Sequence, residues 1–202
     1  CNADSLAFRG GPFLSDIAPN TPRLIRLRYG KQPALDSDTA MMREVPAHLD
    51  VKGLKVDGPY ALHTEYSSKS RTLDSPLLDG LNTLKASHRR GVPELWSSPQ
   101  WSEEFGQFIF RLVGTSAPPD VIEIHPPFTC TTSSIEDFLD AYSVFEAIVR
   151  DRFPSCEFVI ENRSGSKHPS PFLFSDVDSI VALGQALSNR NLRLRIALDL
   201  PQ

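Results

Sequence analysis

The chain has 202 residues, of which 40% are hydrophobic and 23% charged, and its net charge is −4. This composition is typical of a soluble globular protein, and the absence of any run of about 18 apolar residues argues against a membrane-spanning helix. The net negative charge argues against a general basic surface for nucleic acid, although a local basic rim would not show in the total. Three cysteines, Cys1, Cys130 and Cys156, form no close pair, which favours a reducing, cytoplasmic setting over a disulfide framework.

The first half of the chain has a weak pattern. Strand candidates are NADSLAF at 2–8, PRLIRLRYG at 22–30 and GPYALHTEYSS at 58–68, whereas the stretches 30–60 and 67–100 have no clear assignment. The segment PQWSEEFGQFIFRLVG predicts a helix that Ser102 caps and Gly114 ends. Trp96 and Trp101 are expected to pack the helical layer against the sheet.

The second half predicts two successive β/α units. Val121–Ile124 is a strand candidate, Ser134 with Asp137 predicts the start of a helix, and a second strand ends at Glu161. A further helix, 176–191, has asparagines at its end and precedes the strand LRIAL at 194–198. Strands that alternate with helices predict a parallel sheet, either doubly wound or a (β/α)8 barrel. We expect a single α/β domain over residues 1–202. No glycine-rich nucleotide motif follows any strand.

Four strand candidates end in residues that can bind a metal ion: His63, His125, Glu161 and Asp199. Because parallel strands present their carboxyl ends at one edge of a sheet, we expect these side chains to lie close together. Each has a structural interpretation as well, since a lone histidine is often hydrogen-bonded and an acidic residue often caps a helix. Together they favour a divalent metal site, because neighbouring carboxylates repel without a cation and imidazole with carboxylate suits zinc, manganese or iron.

At these residues the sequence resembles the xylose-isomerase-like TIM barrels, and within them the endonuclease IV family of abasic-site nucleases. The likeness covers about residues 55–202 and rests on His63-Thr64-Glu65-Tyr66, His125-Pro126, Glu161-Asn162 with Gly165, and Leu198-Asp199. It implies a (β/α)8 barrel of which about six of the eight units are present, so that the domain would be incomplete at its C-terminus. It also implies metal ligands at His63, His125, Glu161 and Asp199, with Glu161 bridging ions as the catalytic residue.

The sequence departs from the pattern of that family at two places. Gln202 stands where the family has a zinc-binding histidine, and Arg163-Ser164 replaces Thr-Ala. Tyr66, Asn162, Arg163 and Gln202 are the expected substrate contacts.

Three functions remain open from the sequence. The first is a metal-dependent phosphodiester hydrolase acting on abasic or damaged DNA, with zinc as the expected ion and manganese or magnesium as alternatives. The second is an isomerase or epimerase of a small sugar or sugar phosphate on the same scaffold, with Glu161 as ligand or base. The third is a non-catalytic barrel that serves as a binding module. Metal stoichiometry and DNA cleavage distinguish the three.

Overall fold

The computed structural model describes residues 43–47, 56, 59–64, 76–87, 94–163 and 170–198. The strands in these ranges are β1 Arg43–Ala47, β2 Tyr60–Thr64, β3 Val121–Ile124, β4 Glu157–Glu161 and β5 Arg195–Ala197. The α-helices are α1 Asn82–Ser87, α2 Pro99–Val113, α3 Ile135–Arg152 and α4 Val177–Arg190, and a short 3-10 helix spans Pro76–Leu78.

The five described strands form one parallel sheet in the order β1-β2-β3-β4-β5. The prediction of a parallel α/β sheet is therefore confirmed. A doubly wound sheet reverses its strand order at a switch point, and no such reversal occurs among the described strands. The strand β1 was not predicted, because it lies in the stretch 30–60, which has no clear pattern. The strand candidates at 2–8 and 22–30 lie outside the described residues.

The two faces of the sheet differ in polarity. Alternate residues of each strand point to one face and pack into the buried core with the helices: Val45, Ala47, Leu62, Ile122, Ile124, Phe158 and Ile160. The residues between them point to the other face, and several of these are charged or imidazole side chains: Glu44, His63, Glu123 and Glu161. The hydrophobic effect therefore fixes the polar face by burying the opposite one.

Local capping sets where the helices begin and end. Ser134 caps α3 as predicted, since its Oγ accepts a hydrogen bond from the Asp137 amide. Gly114 ends α2, also as predicted, with φ of 56°. The prediction for the start of α2 was wrong: Ser98 is the N-cap and Ser102 is buried within the helix. Pro99 occupies the first helical position, where an N–H group would have no helical partner. The lack of an N–H in proline therefore does no harm there, which makes Ser98 the better boundary.

Trp96 lies at the centre of a cluster of aromatic rings. Its ring makes edge contacts with Trp101, Phe105, Phe138, Tyr142 and Phe145 at centroid distances of 5.1 to 6.0 Å. Trp96 and Trp101 are both almost fully buried, which confirms their prediction as packing residues. Trp96 has φ of 58°, a conformation that costs a non-glycine residue energy. The Thr132 hydroxyl stabilises this turn by donating to the Leu95 and Trp96 carbonyls.

Within the described residues, every helix is too short or too polar to cross a membrane.

The two described cysteines differ in exposure, which yields a prediction of thiol reactivity. Cys130 is exposed and Cys156 is buried, and burial raises the pKa of the Cys156 thiol to about 12. Because the thiolate is the reactive form, a Cys1→Ser variant at pH 8 should show one fast thiol towards an aromatic disulfide reagent. The second thiol should react only after unfolding in denaturant. Two equally fast thiols in the native protein would contradict this burial.

Candidate metal centre

Four potential metal ligands meet at the carboxyl ends of β2, β3 and β4. His63, Glu123, His125 and Glu161 each offer one ligand atom, and these four atoms all lie within 4.8 Å of one another. The cluster is largely buried, with His125 and Glu161 the most enclosed. The sequence predicted metal ligands at this edge of the sheet, and the edge carries a His/Glu cluster that could hold a metal ion.

The register of the sheet produces this convergence. His63 on β2 pairs with Glu123 on β3, so their side chains lie beside each other on the same face. His125 is two residues beyond Glu123 and returns to that face. Ile124 pairs with Ile160 on β4, which places Glu161, the next residue, level with His125.

Three of the distances between ligand atoms are close to those around a single ion. His125 Nε2 lies 3.0 Å from His63 Nε2 and 3.0 Å from Glu161 Oε2, and His63 Nε2 lies 3.4 Å from Glu123 Oε1. Tetrahedral zinc with bonds of about 2.0–2.1 Å separates its ligand atoms by roughly 3.3 Å. The three separations are close to this value, and two imidazole nitrogens with two carboxylate oxygens offer the donor chemistry of a zinc site.

Glu44 orients His63. Its Oε1 accepts a hydrogen bond from His63 Nδ1 at 2.7 Å, which leaves the lone pair of Nε2 directed at the cluster. A carboxylate that fixes the far ring nitrogen is the usual support of a metal-binding histidine. Because Glu44 lies on β1, four neighbouring strands contribute to the centre.

His125 is held by the aromatic core and is ready to act as a ligand. Its backbone carbonyl accepts a hydrogen bond of 2.8 Å from Trp96 Nε1, and its side chain is 0% exposed. Burial, helped by the nearby His63 and Arg163, lowers the pKa of His125 to about 4, although the neighbouring Glu161 acts in the opposite direction. The imidazole is therefore neutral at pH 7, and an ion would not need to displace a proton from it.

Arg163 brings a positive charge into the cluster. Its Nη2 lies 2.9 Å from His125 Nε2 and 3.0 Å from Glu161 Oε2. Three carboxylates, Glu44, Glu123 and Glu161, and this one guanidinium have formal charges that sum to −2. One divalent cation would neutralise this sum, whereas the carboxylates would otherwise repel one another.

The loops after β3 and β4 are joined to each other beside the cluster. Phe128 and Phe172 form an antiparallel bridge, and their rings stack at a centroid distance of 4.3 Å. Backbone hydrogen bonds flank the bridge, from Thr129 to Pro171 at 3.0 Å and from Leu173 to Pro127 at 2.9 Å. These contacts restrict the loops that follow His125 and Glu161.

The structure brings together three of the four predicted ligands, His63, His125 and Glu161. Of the predicted substrate contacts, Arg163 lies in the cluster. The backbone N–H of Asn162 donates to the Ala197 carbonyl at 3.2 Å and so joins β4 to β5. Tyr66, Asp199 and Gln202 lie outside the described residues.

Sequence reasoning missed two acidic residues of this site. Glu123 is marked by the pattern Glu-Ile-His, which begins in β3 and ends one residue after it, because alternate strand residues share a face. A search of strand ends alone does not find it. Glu44 lies on the unpredicted strand β1, and no comparable local signal marks it.

Comparisons with known proteins leave the family of this chain open: no protein-family model, no curated protein and no solved structure matches it. Function must therefore be inferred from the site, since the same fold supports many activities.

Glutamate substitutions on β4 test the metal centre directly. We expect Glu161→Gln to weaken zinc binding by more than about 100-fold in calorimetric titration of the metal-free protein, because ligand loss should exceed the 10- to 100-fold typical of supporting residues. Glu157→Gln is the matched control, since Glu157 points to the same face at the opposite end of β4 and pairs with Arg195. Equal zinc affinity of the two variants would contradict the assignment.

The role of Glu44 makes a separate prediction. Glu44→Gln keeps a hydrogen-bond acceptor for His63 Nδ1 but removes the charge, so zinc affinity should fall by about 10- to 100-fold rather than vanish. The same calorimetric titration measures this, and an unchanged affinity would show that Glu44 does not support the ligand.

Proposed function

We propose that the protein is a divalent-metal-dependent phosphodiester hydrolase similar to endonuclease IV. One observation carries the proposal: His63 Nε2, His125 Nε2 and Glu161 Oε2 meet at a sheet edge with successive separations of 3.0 Å. These are three of the residues that the resemblance implies as metal ligands. The proposal includes a (β/α)8 barrel, because neighbouring strands of such a barrel are parallel and follow chain order, as β1 to β5 do.

The donor set favours zinc. Two imidazoles with carboxylates suit zinc, whereas magnesium prefers sites made of oxygen ligands alone. A bound zinc ion would lower the pKa of a coordinated water and stabilise negative charge on a phosphate oxygen. This chemistry corresponds to hydrolysis at neutral pH.

The protein groups have distinct proposed roles. His63, His125 and Glu161 hold the ion, and Glu44 keeps His63 in the required tautomer. Glu123 is a further carboxylate beside these ligands, with its Oε1 3.4 Å from His63 Nε2. It could serve as a fourth ligand. As a carboxylate beside the ion, it has the chemistry to accept a proton from the attacking water.

The charge of the centre restricts the substrate. With one divalent ion the formal sum of −2 becomes zero, so a phosphodiester anion would gain little from the net charge alone. Its binding would depend on the Arg163 guanidinium, which suits phosphate oxygens, or on a second ion. Abasic or damaged DNA is the substrate class that the resemblance implies.

A sugar or sugar-phosphate isomerase is the second candidate. It is favoured by the convergence of all four ligand atoms within 4.8 Å, which leaves room for one ion rather than several. A one-ion centre of zero formal charge suits a neutral polyol, and a glutamate could then act as the base next to a carbonyl.

Metal content and DNA cleavage together test the proposal. The protein purified without chelators should contain zinc by mass spectrometry and should nick a duplex with a single abasic site. Chelation and Glu161→Gln should abolish nicking, whereas Glu157→Gln should keep it, because Glu157 lies away from the ligand cluster. Conversion of sugars by a one-metal protein without nicking would instead support the isomerase. A protein without bound metal would contradict both and support a binding module.

A further inference from the structure

We propose that Arg163 competes with a metal ion for His125 and Glu161, and that its guanidinium binds an anionic oxygen of the substrate once an ion is bound. This inference rests on the proposed metal-dependent function and adds a residue that determines metal affinity and substrate class. It concerns a position at which the chain has Arg-Ser where the resembling family has Thr-Ala.

One guanidinium nitrogen contacts two of the atoms that would hold a metal ion. Arg163 Nη2 lies 2.9 Å from His125 Nε2 and 3.0 Å from Glu161 Oε2, and those two acceptors lie 3.0 Å from each other. Guanidinium can only donate and an ionised carboxylate can only accept. A proton on His125 Nε2 would oppose the Arg163 donor, so Nε2 accepts from Arg163. His125 Nε2 and Glu161 Oε2 are then two acceptors gathered on one cation.

Burial makes this positive charge important to the cluster. The Arg163 side chain is 14% exposed and the Glu161 side chain 10% exposed, so water screens their interaction only weakly. The guanidinium offsets part of the repulsion between Glu161 and the neighbouring carboxylates. Its charge therefore acts on these carboxylates in the same sense as the charge of a metal ion would.

The ion and the guanidinium cannot share this position. A metal ion would lie about 2.0–2.2 Å from both acceptors, and a guanidinium nitrogen held against the same two atoms would then be in close contact with a like charge. The acceptor lone pairs that receive the Arg163 protons are also those that would bind the ion. Metal binding therefore requires the guanidinium to leave.

The side chain can move while the backbone stays in place. The Arg163 amide donates to the Phe174 carbonyl at 3.3 Å, next to the bridge between Phe128 and Phe172. The long side chain can rotate about its own torsions and remain beside the ion. A displaced guanidinium presents a planar pair of donors that matches two oxygens of a phosphate group.

Zinc affinity of Arg163 variants tests the competition. We would titrate metal-free wild type, Arg163→Gln and Arg163→Lys with zinc by calorimetry. Arg163→Gln should bind zinc at least about 10-fold more tightly, because it removes a competing cation from the ligand atoms. Arg163→Lys should lie between the two, since an ammonium keeps the charge but lacks the planar fork. Arg190→Gln is the control: it removes the same charge from an ion pair with Asp140 on the helical layer and should leave zinc affinity unchanged.

Phosphate binding tests the second half of the proposal. The zinc-loaded wild type should bind inorganic phosphate at least about 10-fold more tightly than zinc-loaded Arg163→Gln, because a charged bidentate contact is lost. Arg190→Gln should again match the wild type.

The outcomes separate this inference from the proposed function. Zinc binding by the wild type with equal affinity in Arg163→Gln overturns the competition, while the metal centre itself stands. If Arg163→Gln does not fold, equal zinc affinity of wild type and Arg163→Lys overturns it instead. Equal phosphate binding overturns the anion-binding role. Failure of the wild type and all variants to bind zinc overturns the metal centre, and this inference with it.

Discussion

The balance of charge at the carboxyl edge of the sheet is the constraint on which the site depends. Glu44, Glu123 and Glu161 project from β1, β3 and β4 onto one face, and the register brings them towards the same two histidines. Gathering carboxylates in a weakly solvated place is unfavourable unless a positive charge lies between them. Arg163 supplies such a charge, and a divalent ion would supply twice as much. The arrangement of this edge follows from that single requirement.

Packing on the opposite face of the sheet explains why the carboxylates come together and need a positive charge between them. Leu62, Ile122, Ile124, Phe158 and Ile160 are buried in the core shared with the helices, and a strand cannot bury these residues without turning their neighbours to the other side. The aromatic cluster around Trp96 adds a direct link, because the Trp96 indole donates to the His125 carbonyl. Packing energy on one face thus determines the position of ionisable groups on the other, in a way that a loop-borne site could not match.

The order of events at such a centre would begin from a neutral His125 and a cationic Arg163. Burial of His125 favours the form that binds a metal ion, since the ring loses no proton on binding. Arg163, by contrast, is always charged and must be moved rather than deprotonated. A site of this kind combines ready ligands with a built-in competitor. Its metal affinity would then respond to anions that stabilise the displaced guanidinium, which links ion binding to substrate binding.

The sequence by itself determined the local features of this protein. Strands β2 to β5, the caps at Ser134 and Gly114, and the placement of His63, His125 and Glu161 at strand ends follow from patterns within a few residues. The alternation of side chains along β3 also indicates Glu123, whereas the end of the strand indicates His125 alone. Only the tertiary structure decided that Glu44 supports His63 and that Arg163 bridges His125 and Glu161. Strand register and side-chain approach across the sheet depend on packing between distant segments, so no local pattern in β1 or after β4 specifies these contacts.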